Sequence, residues 1–153
     1  MLWGTLVHGL LEHAMRHKSA MRDDLRRLAM WLTIEQPELR TFIDVALDTV
    51  EAVSGAAFWK EARASAECHE EAPFGIRVEG GAVTKLLTGA IDLVYRTGDG
   101  WHLLDYKTDI HGLDTDLRAK YGPQIDAYEK AWSRIAKAKV TATLVPTKRT
   151  VGT

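Results

Sequence analysis

The sequence predicts a small domain of the α/β or α+β class, and three observations carry that prediction. Apolar residues recur at helical spacing through residues 1–65. From Glu67 to Thr108 the spacing becomes period two, broken by Gly80-Gly81 and Gly98-Asp99-Gly100. After Leu113 helical spacing returns, and a short β-branched stretch ends the pattern. Helices, then a three-stranded meander, then a helix and a strand give a small mixed sheet flanked by helices.

The elements follow in order. In Gly4 to Met15 the residues Leu6, Val7, Leu10, Leu11, Ala14 and Met15 form one apolar face. Asp23 to Leu32 places Leu25, Leu28, Ala29 and Leu32 on another, and Pro37 ends it. A third helix is expected from Glu38 through Phe42, Val45, Ala46, Thr49 and Val53, and Gly55 weakens it before a short helical piece at Phe58 to Ala64. Strands are expected near 67–78, 83–96 and 101–107, joined as antiparallel hairpins. Pro123 suits the first turn of the next helix, where its missing N–H is harmless, and Ile125, Tyr128, Trp132 and Ile135 share a stripe. Val140 to Val145 is the closing strand.

All 153 residues read as a single domain, 1–65 mainly helical and 66–153 holding the meander, helix and closing strand. With 46% hydrophobic residues the chain can bury a core, and a lone cysteine, Cys68, rules out a disulfide framework. No apolar run reaches the roughly 20 residues of a membrane span, so a cytoplasmic protein with no membrane partner is expected. The net charge of −1 argues against gripping nucleic acid by bulk charge alone. That balance hides an asymmetry: residues 31–117 carry −9 and residues 118–149 carry +6. Solvated helix faces would give this pattern, and so would an acidic metal centre beside a phosphate-binding surface.

Asp105-Tyr106-Lys107 is the sharpest local feature. Alternation on a strand sends Asp105 and Lys107 to the face of Trp101 and Leu103 and Tyr106 to the other. An exposed cross-strand pair is the competing reading. Asp92 stands alone in the apolar run Gly89-Ala90-Ile91-Asp92-Leu93-Val94-Tyr95, and a buried carboxylate is costly unless paired or metal-bound. The hairpin at 98–100 can set Asp92 beside Asp105, and Mg²⁺ or Mn²⁺ would relieve two adjacent carboxylates. A half-exposed Asp at a bulge is the alternative. His8 lies at the edge of the first apolar stripe, where a satisfied boundary residue is the reading that competes with a ligand, and Glu12, one turn on, reads as helix-surface support. Gln124 and Tyr128 are four apart, so they stack on one side. With Gln124 in a first helical turn, a phosphate could bind there, close to Tyr128 and Tyr121. An ordinary core aromatic is the other reading of Tyr128.

The order of these features is more specific than any one of them. Gly4-Thr5-Leu6-Val7-His8, Glu71-Ala72-Pro73-Phe74, Gly89-Ala90-Ile91-Asp92-Leu93-Val94, Asp105-Tyr106-Lys107-Thr108 and Gln124-x-x-x-Tyr128 together resemble the RecB/AddA-type nuclease domain of the PD-(D/E)XK superfamily. The resemblance spans residues 4–145 and implies a restriction-endonuclease-like core. Such domains usually sit at the C-terminus of UvrD/Rep-like helicase–nucleases that process double-strand breaks.

The resemblance implies that His8, Asp92, Asp105 and the Tyr106 carbonyl ligate Mg²⁺ or Mn²⁺. It implies that Lys107 positions or activates the attacking water and that Glu71 supports the metal or its water. Gln124 and Tyr128 would help hold the DNA strand, with Tyr121 nearby. The implied activity is exonuclease-type hydrolysis of single-stranded DNA ends delivered by a helicase domain or subunit. Whether one ion or two act stays open. One cysteine cannot hold the iron–sulfur cluster some relatives carry, and no Walker A motif is present. With the first motif this near the start, the chain is expected to be a domain of a larger helicase–nuclease. A catalytically silent DNA-binding or scaffold domain is the rival class.

Overall fold

The computed structural model describes residues 3–108 and 114–147. Four α-helices come first: α1 (Trp3–Arg16), α2 (Arg22–Leu32), α3 (Ile43–Ser54) and α4 (Ala57–Ala64), with a 3₁₀ segment, Pro37–Phe42, before α3. The strands are β1 (Glu67–Gly80), β2 (Val83–Thr97) and β3 (Gly100–Lys107), then α5 (Asp114–Ala136) and β4 (Val140–Pro146). They form a four-stranded mixed sheet in the order β1-β2-β3-β4, antiparallel through the meander, with β4 parallel to β3. The expected α/β architecture is the one found.

Both hairpins turn in two residues, which fixes their register. Gly80 pairs with Val83 and Thr97 with Gly100, and Gly81 and Gly100 take positive φ of 68° and 122° at the corners. Gly100 also lets the Lys139 carbonyl approach, which accepts the Trp101 N–H at 2.9 Å and starts the β3–β4 ladder. Parallel pairing needs a long crossover, and α5 supplies it.

The sheet separates two cores. On one side Leu6, Leu10, Leu11, Leu47, Val50 and Trp59 of the N-terminal helices bury Leu93, Tyr95, Leu104 and Tyr106. On the other, Ile125 and Tyr128 of α5 pack on Ala72, Ile91, Val94, Leu103 and Val140. In a regular strand residues two apart share a face, yet Ile91 and Leu93 lie in different cores. The strand therefore turns over at Asp92. Directly opposite, Glu71 takes φ of 48°, a left-handed conformation that a glutamate adopts at a cost. The irregularity and the charged residues coincide.

Three expectations about the helices need correction. The region after Pro37 is a 3₁₀ segment up to Phe42, and Ile43, Leu47 and Val50 carry the α3 core with Ala46, Thr49 and Val53, while Phe42 and Val45 are only half-buried. Pro123 lies inside α5, which starts nine residues earlier, so its missing N–H leaves a gap within the helix and Gln124 is not in a first turn. The helix-end argument for anion binding at Gln124 falls with it. Ile135 is 71% exposed and off the buried stripe.

Candidate active site

Five elements deliver the predicted residues: α1 carries His8, β1 Glu71, β2 Asp92, β3 Asp105, Tyr106 and Lys107, and α5 Tyr121, Gln124 and Tyr128. The β2–β3 ladder runs from Thr97↔Gly100 to Leu93↔Leu104, and Asp92 and Asp105 are the next positions facing each other. Beyond that point Asp92 replaces the ladder, its Oδ2 accepting the Tyr106 N–H at 2.7 Å. A side-chain carboxylate thus does the work of a backbone carbonyl where the strands part. Asp92 and Asp105 are 8% and 9% exposed, so the half-exposed reading of Asp92 does not hold.

Helix α1 brings His8 onto this strand end. Gly4, one turn earlier, permits the approach: a Cβ there would stand 2.6 Å from the Thr108 Oγ1. His8 Nε2–H donates to the Tyr106 carbonyl at 2.9 Å, and Nδ1 lies 3.2 Å from Asp92 Oδ1. Both ring nitrogens face acceptors. Burial works against a charged imidazole, but the Asp92 hydrogen bond and charge, the Tyr106 carbonyl and Asp105 together raise the His8 pKa above 6.5.

The two aspartates share a hydrogen bond, and their environments push them apart. Burial raises both; in Asp92 the hydrogen bonds from His8, Asp105 and the Tyr106 N–H outweigh it, and the pKa ends below its usual value. Asp105 takes the opposite course, raised by burial and by the adjacent Asp92 although Lys107 opposes the shift. Of the two, Asp105 is the carboxyl held above its ordinary range and Asp92 the one held below it. Glu71 is raised as well, by burial and then by the charges of Asp92 and Glu12.

A cation suits this donor set. One ligand atom each from His8, Glu71 and Asp92 lies within 4.8 Å of the others. Asp105 is outside that trio but bonded to Asp92, and the Tyr106 carbonyl already faces His8. Mixed imidazole and carboxylate oxygen donors fit a divalent ion.

Lys107 completes the row, its Nζ 2.9 Å from Asp105 Oδ2 and 3.9 Å from the centre of the Tyr121 ring. Gln124 and Tyr128 do meet: the Gln124 amide donates to the Tyr128 hydroxyl at 2.7 Å. The Tyr128 ring is a core residue packed on Phe74 at 4.4 Å, and only its hydroxyl end reaches the site's surroundings. Glu12 pairs with Arg16 at 2.7 Å, the surface support expected of it.

Sequence reasoning missed Thr147, whose N–H and hydroxyl both donate to the Lys107 carbonyl, at 2.8 and 3.0 Å, pinning the strand that carries Asp105 and Lys107. A threonine just past a closing strand gives no signal of its own. Register could have found it, since Lys107 pairs with Pro146, one residue before it.

The mixed sheet thus carries a buried acidic pair, a lysine two residues on and a histidine from the first helix. The model of the PD-(D/E)XK nuclease superfamily matches residues 2–151, and the chain belongs to that superfamily. Among curated proteins it is 31% identical over 163 residues to an ATP-dependent helicase/nuclease subunit of Bacillus velezensis, covering 90% of this chain and 13% of that protein. The protein of the same name from Anoxybacillus flavithermus is 30% identical over 152 residues, covering 93% and 12%. Its namesake in Alkaliphilus oremlandii is 27% identical over 154 residues, covering 92% and 13%. The chain thus spans 12–13% of the length of these relatives. Among the described residues no helix is long and apolar enough to cross a membrane.

Proposed function

We propose that this chain is a divalent-metal-dependent DNA nuclease module, a single domain that hydrolyses phosphodiester bonds at single-stranded ends. Its setting is helicase-coupled processing of double-strand breaks during recombinational repair, in partnership with a helicase domain or subunit. The carrying observation is the unbroken row His8–Asp92–Asp105–Lys107 at the seam between the two cores, with Glu71 beside it. His8, Asp92 and Asp105, with the Tyr106 carbonyl, would hold Mg²⁺ or Mn²⁺, and Glu71 would support the ion or the attacking water. When bound, the ion makes water acidic enough to act as a nucleophile near neutral pH and offsets phosphate charge.

The chain's own groups do the rest. Asp105 would offer a second carboxylate to the cation beside Asp92. Lys107, on the same strand face, donates a hydrogen bond to the attacking water or to the phosphate oxygen that gains charge. Gln124 and Tyr128 brace the helix over the site and offer polar ends to the strand. Asp92 and Asp105 are buried between the packed layers, which strengthens the interactions they make.

The test is cleavage of end-labelled single-stranded DNA with Mg²⁺ or Mn²⁺, comparing wild type with Asp105→Ala. Metal-dependent cutting by the wild type alone is expected. Equal, metal-independent activity in both sinks the assignment. A wild type inert with every metal, alone and with a helicase partner added, returns the scaffold reading.

A further inference from the structure

Lys107 has a second neighbour that the row of charges does not explain. Its ammonium lies between Asp105 Oδ2, at 2.9 Å, and the Tyr121 ring centre, at 3.9 Å. Asp105 alone would draw the ammonium down along the strand. The negative face of the Tyr121 ring supplies a second attraction, strongest when the cation is shielded from water, and the Lys107 side chain is 16% exposed. Among the described residues, Asp105 and the Tyr121 ring together hold Nζ.

The mount is rigid. Tyr121, Gln124 and Tyr128 stand at i, i+3 and i+7 on one side of α5. Tyr128 is wedged against Phe74 and capped by the Gln124 amide, so the turns after Tyr121 are locked to the sheet. Tyr121, the eighth residue of α5, therefore holds its ring over the end of β3.

We propose that Tyr121 is a positioning residue: its ring face holds the Lys107 ammonium where it meets the scissile phosphate, instead of binding the strand itself. This rests on the nuclease reading above and assigns Tyr121 a role within that site. The ring carries the function, so the hydroxyl is dispensable. Any bulky apolar side chain could cover the lysine stem, but only an aromatic face attracts its charge.

The experiment compares Tyr121→Phe and Tyr121→Leu with the wild type in two measurements. In steady-state cleavage of single-stranded DNA with Mg²⁺, Leu should lower kcat about tenfold with KM within about twofold, and Phe should restore kcat. A raised KM at unchanged kcat would show a strand contact and overturn the proposal; so would wild-type kcat in the Leu variant, or a Phe variant as slow as Leu. The second readout needs no activity: NMR of protein carrying labelled lysine, with the Lys107 signal assigned through Lys107→Arg. Ring-current shielding places the Lys107 ε-protons upfield in wild type and Phe and returns them in Leu. An unshifted wild-type resonance overturns the proposal even in an inert protein. A shifted resonance in a protein that stays inert with every metal, alone and with a helicase partner added, leaves the contact standing and rejects the nuclease reading instead.

Discussion

Two rows of charge run through this protein, and their settings differ. On the outside of the helical layer, Arg22 reaches Asp48 at 2.9 Å and Glu51 at 2.7 Å, and Arg26 reaches Asp44 at 2.7 Å. Inside, His8, Asp92, Asp105 and Lys107 follow one another at similar spacings. By distance alone the rows look alike. In water each exposed pair contributes about 0–1 kcal/mol, whereas burying an ion costs several kcal/mol before its partners repay it. A fold keeps the outer row for little and must build its strands around the inner one. The left-handed Glu71, the strand turning over at Asp92 and the glycine at position 4 are the backbone consequences.

Breaking the inner row should have the largest effect. Asp92→Ala removes the acceptor of the Tyr106 N–H and the partner of His8, and urea unfolding should show a loss of about 3–5 kcal/mol. Asp92→Asn keeps an oxygen for the Tyr106 N–H and should lose clearly less, while both variants lose on the order of 10²–10³-fold in nuclease rate.

A second way to separate the rows is pH. Asp92, depressed below 3.8, contributes stability that is present above 3.8 and lost as pH falls through its folded value. Asp105 and Glu71, raised from 3.8 and 4.5, and His8, raised from 6.5, act in the other sense: their contributions are complete below those values and disappear as pH rises through the folded ones. The inner row of the metal-free protein thus favours the fold most near pH 4 and progressively less toward and beyond neutrality. Melting wild type beside Asp105→Asn from pH 4 to 8 isolates one member, and the wild type should lose ground to the variant as pH rises. A constant gap would show that Asp105 has no raised value.

Next in size is the approach of α1. Gly4→Ala forces a methyl against the Thr108 hydroxyl and should cost about 1–3 kcal/mol. Adding Thr108→Ala opens the space, so the double variant should recover most of that loss in a thermodynamic cycle.

Much of this was legible in the sequence, for identifiable reasons. Period-two spacing with two-residue glycine turns fixes a meander's register, and counting back from the 98–100 turn puts Asp92 opposite Asp105 before any coordinates exist. The stripe of α1 needs nothing beyond its own spacing. What was not legible depends on distant partners. His8 meets the Tyr106 carbonyl 98 residues away, a contact that local spacing does not give and that only the order of the motifs implied. Pro123 reads locally as a helix start, but tertiary packing carries α5 through it. The positive φ of Glu71 has no sequence signature, because the strain comes from the strand beside it.

The smallest effect belongs to the outer row. Arg22→Ala should change stability by less than about 1 kcal/mol, with a loss that fades in high salt, and should leave nuclease activity and its metal requirement unchanged.

Titration of the metal-free protein with Mn²⁺, followed by the EPR signal of the free ion, tests most directly whether the inner row is a cation site. Wild type and the surface variant Asp44→Asn should take up Mn²⁺ with the same affinity, and Asp92→Asn should lose that uptake. Equal binding by Asp92→Asn and wild type, or weakening only in Asp44→Asn, would contradict the account.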